Sequence, residues 1–200
     1  RGHLVRRQDP AWGTKAAANR ANADTFHFCN CAPQEARFNQ DARLWQGIEN
    51  YVLDNAKADK MRVTVFTGPV FTDEDPEYRY VRVPRSFWKV VARVEHGKLL
   101  ATALLADQSD RITRLPERLS EGFDDLSRVK SYQVSVAEVE CLTGLDFGPL
   151  READTLETSA AEAMGGRRTL HSFRDIALGA PKRPIGRAPK KPRKVATGPT

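Results

Sequence analysis

An α+β fold with a central antiparallel sheet flanked by helices is predicted by three observations. Two apolar runs, Phe87 to Val94 and Leu99 to Ala106, are joined by His96-Gly97-Lys98, the makings of a tight hairpin turn. A third run, Val63 to Phe66, precedes them as a further buried strand. Between Gln40 and Lys57, Leu44, Trp45, Ile48, Val52 and Leu53 recur at intervals of three and four, so one stripe of a helix faces a core.

The remaining elements follow in order. Leu4 to Arg20 reads as a loop and short helix, with Thr14 placed to cap it. Thr25 to Cys31 alternates Phe26 and Phe28 with polar neighbours, the period of a half-buried strand. Asn39 opens the long helix, and Thr67-Gly68-Pro69 is expected to turn the chain after Phe66. Tyr132 to Val134 suggests a strand followed by a short helix capped by Ser135, and Thr143 to Phe147 closes the domain. The folded boundary is drawn between Leu150 and Glu157. Residues 1–152 then form one domain, and 153–200 a linker with a basic, proline-rich, disordered tail.

A chain of 200 residues, 40% hydrophobic and 29% charged, can bury one sizeable core. No apolar run approaches the roughly 18 residues a membrane helix requires. The start at Arg1, without Met or a leader, reads as a fragment whose targeting signal and upstream strands are missing; localisation is left open, with a secreted or periplasmic site fitting a bacterial source. The net charge of +6 is unevenly spread: Lys182, Arg183, Arg187, Lys190, Lys191, Arg193 and Lys194 account for seven positives, which leaves the rest of the chain at −1. Such an arm attracts phosphate by counterion release without reading sequence, or serves only as a solubilising linker. Cys29, Cys31 and Cys141 are an odd set. His27, Cys29 and Cys31 invite a zinc reading, but no fourth ligand stands at a recognisable spacing, so free, partly buried thiols are expected.

The first fifty residues carry the chemistry. Phosphodiester hydrolysis needs a base for water, positive charge on the non-bridging oxygens and neutralisation of the leaving oxygen. His3 can be the base, Gly2 beside it allows close approach, and Arg1 offers a bidentate donor fork to phosphate. Asn39 offers a neutral oxygen to a magnesium ion that keeps most of its waters. Glu49 lies ten residues on, about 15 Å along a regular helix, too far for shared ligation unless the helix is irregular near Asp41 to Leu44. Taken singly, an Arg-Gly-His is usually a surface turn and an Asn before a helix an N-cap; the conjunction carries the reading.

Arg1-Gly2-His3, Asn30-Cys31-Ala32-Pro33-Gln34, Asn39-Gln40 and Glu49, in that order, resemble the motifs of the DNA/RNA non-specific endonucleases of the ββα-metal class. Phe66-Thr67-Gly68-Pro69-Val70-Phe71 resembles that family's following strand and turn. The resemblance covers roughly residues 1 to 150. It implies a ββα-metal nuclease fold and magnesium-dependent cleavage of DNA and RNA to products with 5′-phosphates, with manganese as a substitute ion. By the same resemblance His3 is the general base, Asn39 the sole direct magnesium ligand, Glu49 a partner of the hydrated ion, and Arg1 and Asn30 contact phosphate or the transition state. Two departures stand out: the aspartate expected before Arg1 is absent, and the stretch from Asn39 to Glu49 is about two residues long for the pattern. Competing readings are a catalytically inactive nucleic-acid binder and a nuclease toxin or effector module restrained by an inhibitor protein; a homodimer is compatible with either.

Overall fold

The computed structural model describes residues 2–40, 45–58, 60–112, 130–156, 167–176 and 178. Its frame is a five-stranded antiparallel sheet in the order β3-β6-β7-β8-β9: β3 is Val63–Val70, β6 Ser86–Glu95, β7 Lys98–Asp107, β8 Lys130–Val134 and β9 Arg168–Thr169. β6 and β7 pair over their full length, from Ser86 opposite Asp107 to Glu95 opposite Lys98. His96 and Gly97 turn the chain between them with φ of 50° and 77°, the left-handed pair that suits the twist of a two-residue hairpin. Both central strands are buried on both faces, which is why their sequences read as nearly unbroken apolar runs.

β3 runs further than the sequence suggests. Thr67, Gly68 and Pro69 continue the strand opposite Lys89, Trp88 and Phe87 instead of turning. Among the described residues β3 pairs only with β6, so the missing N–H of Pro69 can lie on the open side at no cost in ladder bonds. Gly68 is required by its neighbour: a Cβ there would stand 2.9 Å from Trp88 Cζ2.

Each face of the sheet carries its own core. On one side Val90, Ala103, Leu105 and Val134 pack with Trp88 beneath α5 (Val136–Thr143) and α6 (Pro149–Glu152). Ser135 caps α5 by accepting from Glu138 N at 3.0 Å, as its hydroxyl predicts, and Gly144 ends it in the left-handed conformation. On the other side Phe87, Leu104 and Ala106 meet Leu4, Ala32, Phe38, Trp45 and Ile48. These come from a two-stranded ribbon, β1 (Gly2–His3) with β2 (Cys31–Ala32), and from two helices, α2 (Ala36–Gln40) and α3 (Trp45–Ala58). That is the ββα unit, laid on one face of the sheet.

Several expectations are corrected. The helix expected from Asn39 onward is already formed at Ala36 and is described as two stretches, α2 and α3; residues 41–44, including Leu44, lie outside the described residues. Asn39 sits near the end of α2, its N–H bonded to Glu35 O at 3.0 Å, and it is the Glu35 carboxylate that receives Phe38 N at 2.8 Å at the start of that turn. The strand expected over Thr25 to Cys31 is a turn and a 3-10 segment, Phe28–Asn30, leading into β2. Phe26 and Phe28 are both exposed, so their alternation does not mark a buried face. α1 (Lys15–Asp24) is capped by Thr14 as expected but buries no residue. Beyond the boundary drawn near Leu150, residues 167–176 return to the fold: β9 extends the sheet beside β8, and Ile176 fills the core under α3. The basic tail, 179–200, lies outside the described residues.

Truncation at the two ends of the burial scale separates core from surface. Leu104→Ala, at a side chain 1% exposed, should cost about 2–5 kcal/mol in urea unfolding, while Val94→Ala, 65% exposed, should stay within about 0.5 kcal/mol.

Candidate active site

β1 and β2 are too short to hold each other alone, and side chains complete the ribbon. Leu4 N donates to Asn30 O at 3.0 Å. Asn30 then spends its amide on backbone: Oδ1 accepts from Val5 N at 2.9 Å, and Nδ2 donates to Val5 O at 2.8 Å and Thr25 O at 2.9 Å. Both Nδ2 protons are thus engaged, one with the stretch after His3 and one with the turn after α1, so this amide clamps the ribbon.

His3 pairs with Cys31 across that ribbon, half-buried, and neither ring nitrogen is bonded to a described residue. Phe26 packs edge-on against the imidazole, ring centres 5.1 Å apart at 88°. On one side of His3, Gly2 lies against the side chains of Gln34 and Asn39; a Cβ on Gly2 would collide with Gln34 Oε1 and come within 2.6 Å of Asn39 Nδ2. Only glycine allows this approach. Asn39 Nδ2 donates to Gln34 Oε1, which fixes the amide's orientation, and no described residue donates to Asn39 Oδ1.

On the other side of His3, the carbonyl of Leu4 accepts from Lys89 Nζ at 2.9 Å. Lys89 projects from the centre of β6, is 2% exposed, and stands 3.4 Å from both Glu49 Oε1 and Thr67 Oγ1. Its ammonium lies 4.1 Å from the centre of the Trp45 ring. One buried cation therefore joins the histidine strand, the glutamate helix and the sheet. Burial pushes the Glu49 carboxyl above the ordinary carboxylate range; Lys89 and Arg6 pull it back, while Asp9 pushes the same way as burial. Burial likewise lowers Lys89. Arg6 links the loop after β1 to α3 through Asn50 and holds Asp9 with a 2.8 Å ion pair.

The chain neighbours of His3 thus reach the other candidates: Gly2 lies against the Asn39 amide, and the Leu4 carbonyl is linked through Lys89 to Glu49. Arg1 lies outside the described residues. A cleft of about 1020 Å³ between α3, β3 and the loop around Trp12 is bordered by Glu49 and Lys89, while His3, Asn30 and Asn39 are not in its lining. Lys89 escaped the sequence reading because it was counted within an apolar strand; a lone lysine inside an otherwise buried run is the signal that marks it. Gln34 was visible only as part of a motif.

The donor set limits what cation could bind. No cluster of three His, Cys, Asp or Glu residues that could hold a metal ion exists among the described residues, and Cys29, Cys31 and Cys141 are free thiols. An oriented amide oxygen is the kind of neutral donor taken by a magnesium-like ion that keeps most of its water.

Removing Lys89 leaves a buried carboxylate and the Leu4 carbonyl without their donor. Lys89→Met should cost about 3–5 kcal/mol, and Glu49→Gln with Lys89→Met should recover part of it. Because the Glu49 carboxyl is raised, the folded variant holds a proton that the unfolded chain releases, so its stability falls as pH rises. The Lys89→Met deficit in urea melts should therefore be smaller near roughly pH 5 than near roughly pH 8.

The model of the family described as DNA/RNA non-specific endonuclease matches residues 1–154. The chain is 40% identical over 179 residues, 88% of its length, to the uncharacterized protein y4fB of Sinorhizobium fredii. It is 27% identical over 74% of its length to a protein named Nuclease from Nostoc sp., and 33% identical over 46% of its length to human mitochondrial endonuclease G. It spans 26%, 49% and 32% of those three proteins, respectively. With three-quarters of its residues inside the family match, the chain belongs to the DNA/RNA non-specific endonuclease family.

Proposed function

We propose that this chain is the metal-dependent phosphodiesterase unit of a sugar-unspecific endonuclease that cleaves DNA and RNA. The observation that carries the reading is the convergence on one two-residue strand. His3, whose ring nitrogens bond to no described residue, is flanked by Gly2, packed against the oriented Asn39 amide, and by Leu4, tied through Lys89 to Glu49. Family membership and relatives named Nuclease and Endonuclease G support it.

In this reading His3 takes a proton from water as the water oxygen attacks phosphorus, and the bond to the 3′ oxygen breaks, leaving a 5′-phosphate on the downstream product. Asn39 Oδ1 would hold a magnesium ion, or manganese in its place, with Glu49 orienting its hydration shell. When bound, that ion supplies positive charge to the phosphate and to the leaving oxygen. Gln34 keeps the Asn39 oxygen aimed away from its own carbonyl, Asn30 keeps the ribbon closed, and Arg1 contacts phosphate oxygens. Little of this machinery touches a base, so substrate use should be broad.

His3→Ala should lower plasmid and RNA cleavage by about 100-fold or more with nucleic-acid binding retained; equal loss of binding would defeat the base assignment. Chelation with EDTA should stop cleavage, and added magnesium should restore it. Gly2→Ala should abolish cleavage while far-UV circular dichroism stays native, because the new methyl displaces Gln34 and Asn39 without entering the core. Binding without cleavage by the unaltered protein would instead identify an inactive nucleic-acid binder.

A further inference from the structure

Between β3 and β6 the chain makes a small hairpin, β4 (Glu77–Tyr78) with β5 (Val81–Arg82), joined by Arg79 and Tyr80. Both turn residues have positive φ, 50° and 65°, a conformation for which two-residue turns select glycine and asparagine. Two bulky residues therefore occupy a strained turn. Packing does not explain them: Tyr80 is 98% exposed, and Tyr78 is 64% exposed. The guanidinium of Arg79 stacks 5.3 Å from the centre of the Tyr78 ring. An aromatic and basic tip is thus kept in costly backbone geometry while adding nothing to the core.

The hairpin's root lies at the candidate active site. Gln108, fully buried at the end of β7, donates to Pro84 O at 2.7 Å and to Pro33 O at 3.4 Å, and its Oε1 accepts from Glu35 N at 3.0 Å. Pro84 is two residues beyond β5; Pro33 and Glu35 flank Gln34, the residue that orients Asn39. Rigid attachment through one amide fixes the tip relative to the centre. Three of the four carboxylates of this segment have partners: Asp75 is bonded to Thr72 N and Arg85 N, Asp73 faces Arg82 at 3.6 Å, and Glu77 lies opposite Arg82 in the ladder. From Tyr78 to Arg82 there are two cations and no acid.

We propose that this hairpin is a binding element for single-stranded nucleic acid, with unstacked bases laid on Tyr80 and Tyr78 and the phosphate between them met by Arg79. Aromatic faces accept any base, and a guanidinium offers a planar donor fork to phosphate. A closed duplex offers it only backbone. The inference rests on the nuclease reading and adds to it a preference for strands, or stretches of duplex, whose bases are free to leave the stack.

The test measures fluorescence anisotropy of a fluorescein-labelled oligo-dT strand and of a labelled duplex, in EDTA so that nothing is cleaved. It uses the unaltered protein, Tyr80→Ala, and the double variant Arg79→Asn with Tyr80→Gly. The double variant installs the residues the turn prefers, so its Tm should rise or hold. Both variants should weaken single-strand binding by about tenfold, with the duplex changed less than about twofold. Unchanged single-strand binding in the double variant overturns the proposal and points to a protein partner for the tip, and equal losses on strand and duplex overturn the strand preference. Failure of the unaltered protein to bind either probe overturns this inference and the nuclease reading together, whereas magnesium-dependent cleavage of the single strand undisturbed by both variants leaves that reading standing and sinks this one.

Discussion

The ammonium of Lys89 is the constraint on which the site depends. A lysine buried this deeply is tolerable only with its protons placed, and here they go to a strand carbonyl, a carboxylate and a hydroxyl, over the face of a tryptophan. Those partners belong to three elements that sequence separation alone would not bring together: the stretch after His3, helix α3 and strand β3. Satisfying one charge fixes their relative placement, because any displacement strands a buried polar group. The cost of burying the pair is borne by the domain as a whole; what it secures is geometry.

That geometry rests on a rigid floor. β6 and β7 are paired along ten residues each and covered on both faces, so a shift of either breaks ladder bonds and core packing together. Lys89 rises from one and Gln108 ends the other's connection, so both polar nodes that organise the ribbon and its neighbouring loops are planted in this pair of strands. The ribbon itself has two residues per strand and could not persist in isolation. Its order is borrowed from side chains: Asn30 from within, Lys89 from below.

Much of this was legible in the sequence because the relevant signals are local. The apolar runs of β6 and β7, the hairpin glycine, the Ser135 and Thr14 caps and the ordered motifs from Gly2 to Glu49 all show in short windows. What escaped depends on partners distant in the chain. Pro69 and Gly68 look like a turn until the strand is known to lie at an edge beside Trp88. Phe26 and Phe28 alternate like a buried strand, although Phe26 is held against the His3 ring and both rings remain largely in solvent. Lys89 shows its meaning only when Leu4 and Glu49 are seen on either side of it. Arg168 to Ile176 sits beyond a stretch of thinning apolar content, and nothing nearby announces that it completes a sheet.

That last segment has a consequence for when the molecule can exist. The hydrophobic cluster beneath the site takes Leu4 and Phe38 from the start of the chain and Ile176 from near its end, where Tyr51 Oη also donates to the Ile176 carbonyl at 3.1 Å. Residues 2–58 are made before residues 167–176, yet the surface beneath them is not closed until that later segment has emerged. Order of synthesis and order of assembly are therefore opposed, and a nascent chain that has not reached Arg167 carries the candidate residues without the floor they rest on.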